Sequence, residues 1–123
     1  MSLQKYVYSC KPIRAVDGDT VEVDVDLGWE IFHRLHIRML GVNAPEKHTP
    51  NGPTATKYFT DMLAGIKTFI MRSDLYDKYG RTVGVLWDAS IHDPGINDSI
   101  NTKLEKYYQD TGIAKKFVAP VKP

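Results

Sequence analysis

The chain has 123 residues, and its 16 Lys and Arg against 15 Asp and Glu give a formal charge of +1. This length suits one compact domain with its own core, and a near-neutral charge does not by itself indicate a nucleic-acid binder. No apolar run approaches the roughly 20 residues of a membrane span, so no membrane partner is expected. The N-terminus lacks the pattern of a signal peptide, and the single cysteine, Cys10, excludes an internal disulfide. Both features favour the cytoplasm.

The N-terminal third of the chain predicts three β-strands joined by two short turns. A first strand is expected over Tyr6–Val16, followed by a turn at Asp17–Asp19. The run Asp19–Leu27 alternates valine with acidic residues, as a half-buried strand does. Trp29–Leu40 alternates again, so the two runs around Asp26–Gly28 predict an antiparallel hairpin. The apolar residues of these two strands share one parity: Val21, Val23, Val25, Leu27, Trp29, Ile31, Leu35, Ile37 and Met39.

The rest of the chain predicts two helices with two strands between them. Pro53 suits the first position of a helix, and the helical spacing of the apolar residues that follow predicts a helix over Pro53–Ala64. Gly112 suits the end of a second helix over Asn101–Asp110. A strand, a turn, a strand and a loop are expected between the helices, at Lys67–Arg72, Asp77–Gly80, Arg81–Trp87 and Ser90–Asp98.

This order of elements predicts a mainly β protein with helices, in the α+β class. Three strands, a helix, two strands and a helix fit a five-stranded antiparallel Greek-key barrel of the OB-fold type, with two or three packed helices. An open α+β sheet and an SH3-like barrel are alternatives on the pattern alone. We expect one domain over residues 1–123, with residues 113–123 as an irregular tail, and a monomer.

Two carboxylates and two arginines lie at predicted strand ends or in adjoining turns, namely Asp19, Arg38, Glu46 and Arg81. Phosphodiester hydrolysis needs cations for the charge of the transition state, a base to activate water and a metal ligand. Arginine suits the first role because its planar fork can hold phosphate at two points. Taken singly, each residue has a simpler explanation in a turn or on a solvated face. Asp19 differs because its parity points it toward the barrel interior, where a carboxylate needs a counter-charge.

Three short motifs follow one another in a fixed order along the chain. They are V-D-G-D-T at Val16–Thr20, I-R-M-L-G-V-N-A-P-E at Ile37–Glu46 and D-K-Y-G-R at Asp77–Arg81. In this order, with the expected elements between them, they resemble the staphylococcal nuclease-like (thermonuclease) family from about Ile13 to about Ala114. The resemblance implies an OB-fold barrel and a calcium-dependent endonuclease that acts on DNA, RNA or both.

The resemblance also implies roles for individual residues in catalysis. Glu46 matches the proposed general base, which activates water. Arg38 and Arg81 match two arginines that hold the phosphate and stabilise the transition state. Lys78 and Tyr79 match positions that border the nucleotide phosphate. The implied product carries a 3′-phosphate, because water displaces the 5′-oxygen.

The implied calcium site departs from the family pattern at one ligand. Asp19 matches an aspartate ligand, and Ala44 matches a residue that gives its backbone carbonyl to the ion. Asn43 stands where the family has a second carboxylate. It keeps an oxygen ligand but loses a charge, which predicts weaker calcium binding. The family's base-stacking tyrosines have no tyrosine at matching spacing here, although Phe117 lies nearby.

Three functions are compatible with these residues. The joint presence of Asp19, Arg38, Glu46 and Arg81 favours an active metal-dependent nuclease. Asn43 and the missing tyrosines favour a catalytically inactive OB-fold module that binds nucleic acid or protein. A structural or accessory protein that uses the barrel as a scaffold is the third. Of these, we predict the nuclease.

Overall fold

A computed structural model of the chain describes residues 7–46, 48–76, 81–90 and 95–112. The elements in chain order are β1 (Val7–Asp17), β2 (Thr20–Asp26), β3 (Phe32–Met39), α1 (Gly52–Ala64), β4 (Phe69–Tyr76), β5 (Thr82–Asp88), a 3-10 turn (Ile96–Asp98) and α2 (Ile100–Thr111). Within the described ranges, no helix is long and apolar enough to cross a membrane. The tail predicted over residues 113–123 lies outside the described residues.

The five strands close into a barrel in the order β1-β2-β3-β5-β4, and β4 returns to pair with β1. This closed order, with α1 between the third and fourth strands, confirms the OB-fold barrel and sets aside the open sheet and the SH3-like barrel. β3 and β5 run parallel, with Ile37 opposite Thr82, so the prediction of five antiparallel strands is wrong for this pair. The long crossover through α1 and β4 permits the parallel pairing, which a short hairpin could not.

The β2–β3 hairpin turns later than the sequence predicts. Gly28, Trp29 and Glu30 have positive φ angles of 85°, 56° and 60°, a conformation that regular strands do not contain. β3 therefore begins at Phe32 rather than at Trp29. The parity predicted for the residues of this loop is wrong for the same reason: Leu27, Trp29 and Ile31 are 47%, 94% and 55% exposed.

The inward faces of the barrel strands and one face of each helix form a continuous core. The alternation predicted within β2 and β3 is confirmed, since their buried residues include Val21, Val23, Val25, Ile37 and Met39. The helices contribute Phe59, Leu63, Leu104 and Tyr108. Cys10 is a core residue, as predicted, and burial raises the pKa of its thiol to about 12. It is therefore protonated at neutral pH.

Both helices pack against the turn that joins β1 to β2. The Tyr108 hydroxyl in α2 donates to the backbone oxygen of Gly18 at 2.6 Å, and it also lies 3.2 Å from the backbone oxygen of Ala55 in α1. A side chain does not fit at Gly18, because a Cβ there would lie 2.6 Å from the Cβ of Ala44 and 2.8 Å from that of Ala55. The turn is thus packed between both helices and the loop after β3, which fixes the position of the adjoining Asp19.

Candidate active site

Asp19 lies in the β1–β2 turn, at one end of the barrel. Its side chain is 18% exposed. Oδ2 accepts the backbone N–H of Ala44 at 3.3 Å, and Oδ1 accepts the hydroxyl of Thr20 at 3.3 Å. Burial, followed by hydrogen bonding to Asp17, raises the pKa of Asp19 to about 6, and the positive charge of Arg38 acts in the opposite direction. The surrounding protein therefore makes this carboxyl group harder to ionise than it is in water, whereas a cation placed beside it would favour the carboxylate.

Arg38 and Arg81 approach this end of the barrel from two different strands. Arg38 lies opposite Thr20 in the β2–β3 pairing. Its Nη2 is 3.6 Å from Asp19 Oδ2, and its Nη1 donates to the backbone oxygen of Met39 at 2.7 Å. Arg81 precedes β5, and its Nη1 donates to Thr20 Oγ1 at 3.3 Å. The two guanidinium groups thus converge on Thr20 and Asp19.

The loop after β3 carries the other predicted site residues. The N–H of Ala44 reaches Asp19, and Asn43 precedes it in the chain. Glu46 has an exposed side chain, and its backbone oxygen accepts the N–H and the hydroxyl of Thr49 at 3.0 and 2.7 Å. Glu46 is placed near the site by the chain itself, two residues beyond Ala44. Direct contacts join three of the predicted residues, Asp19, Arg38 and Ala44. Arg81 is linked to them through Thr20.

Two residues at the site were not predicted as site residues. Thr20 is 2% exposed, and its hydroxyl lies between Asp19 and Arg81. It belongs to the V-D-G-D-T motif, but the alternation of β2 gives no reason to expect a buried hydroxyl there. Glu105 in α2 accepts the N–H of Asn43 at 2.8 Å. The two residues lie 62 positions apart, and no local pattern links them.

Calcium prefers oxygen ligands, and three of the predicted site residues carry oxygen atoms of types that it binds. A carboxylate from Asp19, an amide oxygen from Asn43 and a backbone carbonyl from Ala44 are all calcium ligand types. Among the described residues, no three His, Cys, Asp or Glu side chains are grouped so that they could hold a metal ion. Lys78 and Tyr79, predicted to border the phosphate, lie outside the described residues.

The sequence also matches a known family. A sequence model described as staphylococcal nuclease homologue matches residues 36–119, more than half of the chain. The chain belongs to this family. The resemblance inferred from the three motifs is thereby confirmed. The matched range includes Arg38, Asn43, Glu46 and Arg81, and it begins after Asp19.

Curated relatives of this staphylococcal nuclease homologue include two thermonucleases. It is 33% identical to the thermonuclease of Staphylococcus hyicus over 118 residues, which are 89% of this chain and 60% of that protein. The thermonuclease of Staphylococcus intermedius is 31% identical over 115 residues, 87% of this chain and 59% of that protein. Protein ParB of Escherichia coli is 32% identical over 75 residues, 61% of this chain and 39% of that protein. The chain thus spans less than two thirds of the length of each.

Proposed function

We propose that this staphylococcal nuclease homologue is a metal-dependent nuclease that hydrolyses phosphodiester bonds in DNA, RNA or both. The observation that carries the proposal is the convergence of Arg38 and Arg81 beside the half-buried carboxyl group of Asp19. Two guanidinium groups on separate strands can hold two non-bridging oxygens of one phosphate. The relatives named thermonuclease support the same assignment.

In the proposed reaction, Arg38 and Arg81 bind the phosphate while Glu46 takes a proton from water. The water oxygen attacks phosphorus, the bond to the 5′-oxygen breaks, and that oxygen takes up a proton, which leaves a 3′-phosphate. Negative charge grows on the non-bridging oxygens in the transition state, where the two arginines stabilise it. Arg38 is oriented in advance, because Met39 and Asp19 contact its two terminal nitrogens.

The residues proposed to hold calcium are Asp19, Asn43 and Ala44, the last through its backbone carbonyl. When bound, the ion supplies positive charge that polarises the phosphate. An amide in place of a carboxylate gives the site one negative charge fewer. The calcium affinity is therefore expected to be low for a site of this kind.

The alternative is a module that binds nucleic acid and does not cleave it. The small negative charge of the site favours this alternative. Asn43 contributes no charge, and the described ranges hold no group of three His, Cys, Asp or Glu that could bind a metal ion. Without a bound cation, the arginines would still attract phosphate. Such a protein would bind single-stranded nucleic acid with an affinity that falls steeply with salt, and it would leave the strand uncut.

A cleavage assay distinguishes the two functions. Labelled single-stranded DNA, duplex DNA and RNA are incubated with the chain in millimolar calcium or in a calcium chelator. Cleavage is expected in calcium and not in the chelator. Arg38→Ala or Arg81→Ala is expected to slow cleavage by about a hundredfold or more. Arg34→Ala is the matched control, because Arg34 lies on the same strand as Arg38 but pairs with Asp24 on the barrel surface at 2.7 Å.

Circular dichroism of each variant establishes that the fold is intact, so that a loss of cleavage can be assigned to the site. Native protein that binds nucleic acid in calcium but cuts none of the three substrates would establish the binding module. An equal loss in Arg34→Ala and Arg38→Ala would contradict a specific role for Arg38. Chemical analysis of the product ends tests whether the phosphate stays on the 3′ side.

A further inference from the structure

An exposed apolar surface occupies the far end of the β2–β3 hairpin from the candidate active site. We call residues 27–32 the hairpin tip. Its large apolar side chains are turned to solvent: Leu27 is 47%, Trp29 94%, Ile31 55% and Phe32 60% exposed. Single exposed apolar residues are ordinary on protein surfaces, but a contiguous group of four with two aromatic rings marks an interaction site.

The hairpin tip has a defined shape that presents Trp29 outward. Leu27 N–H donates to the backbone oxygen of Ile31 at 2.9 Å, and Ile31 N–H donates to that of Gly28 at 2.9 Å. Asp26 accepts the N–H of Gly28 at 2.8 Å. Left-handed backbone is disfavoured for residues that carry a Cβ, yet Trp29, midway between Leu27 and Ile31, adopts it with a φ of 56°. Contacts within this chain bury little of the tryptophan side chain, so they do not offset the cost of this backbone conformation.

A groove of about 270 Å³ lies between β1 and α1. It opens because β4 begins at Phe69, opposite Cys10, so the rest of β1 extends beyond the start of β4. Its lining includes the apolar side chains of Leu63, Ile66 and Phe69. Three cations, Lys11, Arg14 and Lys67, also line it, and no acidic residue does. Arg14 is paired with Glu22 at 3.0 Å, so the positive charge that the groove offers to a partner comes mainly from Lys11 and Lys67. We call this the β1–α1 groove.

We propose that the hairpin tip of one copy inserts into the β1–α1 groove of a second copy of this chain. Trp29 would contact the apolar lining, and the groove volume is sufficient for an indole ring. Two exposed acids at or beside the tip, Asp26 and Glu30, are opposite in charge to the cations that line the groove. Each chain carries both a tip and a groove, so a two-fold dimer makes the contact twice and leaves neither surface open.

The charges of the hairpin tip argue for a protein partner rather than a polyanion. The tip contains one acid, Glu30, and no lysine or arginine, and a second acid, Asp26, directly precedes it. Nucleic acid and anionic lipid would both be repelled by these charges. The proposal replaces the monomer expected from the sequence, and it does not depend on nuclease activity.

Sedimentation velocity of the full chain over a wide range of concentrations tests the proposal. A reversible monomer–dimer equilibrium is expected for the native protein. Trp29→Ser is expected to weaken the dimer at least about tenfold, because a buried tryptophan is a common anchor of interfaces. Leu40→Ser is the matched control, since Leu40 is also exposed, at 37%, but lies outside both surfaces.

Charge reversal identifies the groove as the partner of the tip. Glu30→Lys and Lys67→Glu are each expected to weaken the dimer about threefold per contact, and the double variant is expected to recover the native affinity. Lys57→Glu makes the same charge change on α1 outside the groove, where Lys57 pairs with Asp61, and should have no effect. A protein that stays monomeric, an unaffected Trp29→Ser variant, or a double variant weaker than both single variants would overturn the proposal.

Discussion

Asn43 combines a fixed backbone with an uncharged side chain at the position where the family resemblance expects a carboxylate. Glu105 accepts its N–H at 2.8 Å, and the next residue, Ala44, donates its N–H to Asp19 at 3.3 Å. The loop is therefore held on both sides whether or not residue 43 carries a charge. The charge of residue 43 can therefore be changed by substitution while the backbone of the loop keeps its position.

Asn43→Asp is expected to lower the calcium concentration needed for half-maximal cleavage by about tenfold. Ligand charge is one of the main determinants of calcium affinity, and the substitution adds a charge while keeping the side chain's size. Calcium titration of the cleavage rate measures the effect, and Asn97→Asp on the exposed surface is the control. An unchanged calcium requirement would place residue 43 outside the metal shell.

The sequence predicted the site residues that belong to a recognisable motif. It did not predict those that reach the site through a buried position or a contact distant in the chain. The motifs identified Asp19, Arg38 and Arg81 as candidates, and the structure brings these three together. Thr20 and Glu105 were missed. A buried hydroxyl cannot be recognised from alternation, and a hydrogen bond between a loop and a helix 62 positions away leaves no local pattern.

The bounds of helices and strands were predictable where the periodic pattern of apolar residues extends over several turns. Both helices lie within one residue of the predicted bounds, because their apolar faces and the glycine after α2 are local features. The parallel pairing of β3 with β5 was missed, because it depends on how a crossover folds rather than on either strand's pattern. The start of β3 was misplaced, because apolar residues of the hairpin tip continue the alternation of the strand into the loop.

The contact between α2 and the loop after β3 gives the helix a role at the site. Glu105 accepts the N–H of Asn43 through Oε1, and Oε2 accepts Gln109 Nε2 at 2.7 Å. The Glu105 carboxylate is thus held by a contact within α2 in addition to its contact with the loop. We infer that Glu105 positions the proposed calcium ligands and does not itself contact substrate.

Glu105→Ala is expected to lower kcat/KM for cleavage about tenfold, because the loop loses the contact that orients it. Glu105→Gln retains an oxygen acceptor for Asn43 and is expected to preserve most of the activity. Lys106→Ala, an exposed change on the same helix, controls for effects on helix stability. Equal losses in the Ala and Gln variants, or a loss explained by a lower melting temperature, would contradict a positioning role.

At the scale of the whole molecule, one buried amide joins α2 to the barrel. Asn101 is 3% exposed. Its Oδ1 accepts the N–H of Leu86 in β5 at 2.9 Å, and its Nδ2 donates to the backbone oxygens of Leu40 and Gly84, each at 2.9 Å. The bonds link the first turn of α2, the middle of β5 and the residue that follows β3. The amide thus ties α2 to the two strands that pair in parallel, β3 and β5.

Asn101→Ala is expected to lower the free energy of unfolding by about 3 kcal/mol, because it leaves buried backbone groups of Leu86 and Leu40 without this partner. Gly84 is less affected, since its oxygen also accepts the N–H of Leu40 at 2.9 Å. Urea unfolding followed by circular dichroism measures the change, and Asn97→Ala, which is exposed, should stay within about 0.5 kcal/mol of the native protein. A loss below about 1 kcal/mol for Asn101→Ala would mean that water replaces the amide, and that α2 is attached to the barrel mainly by apolar packing.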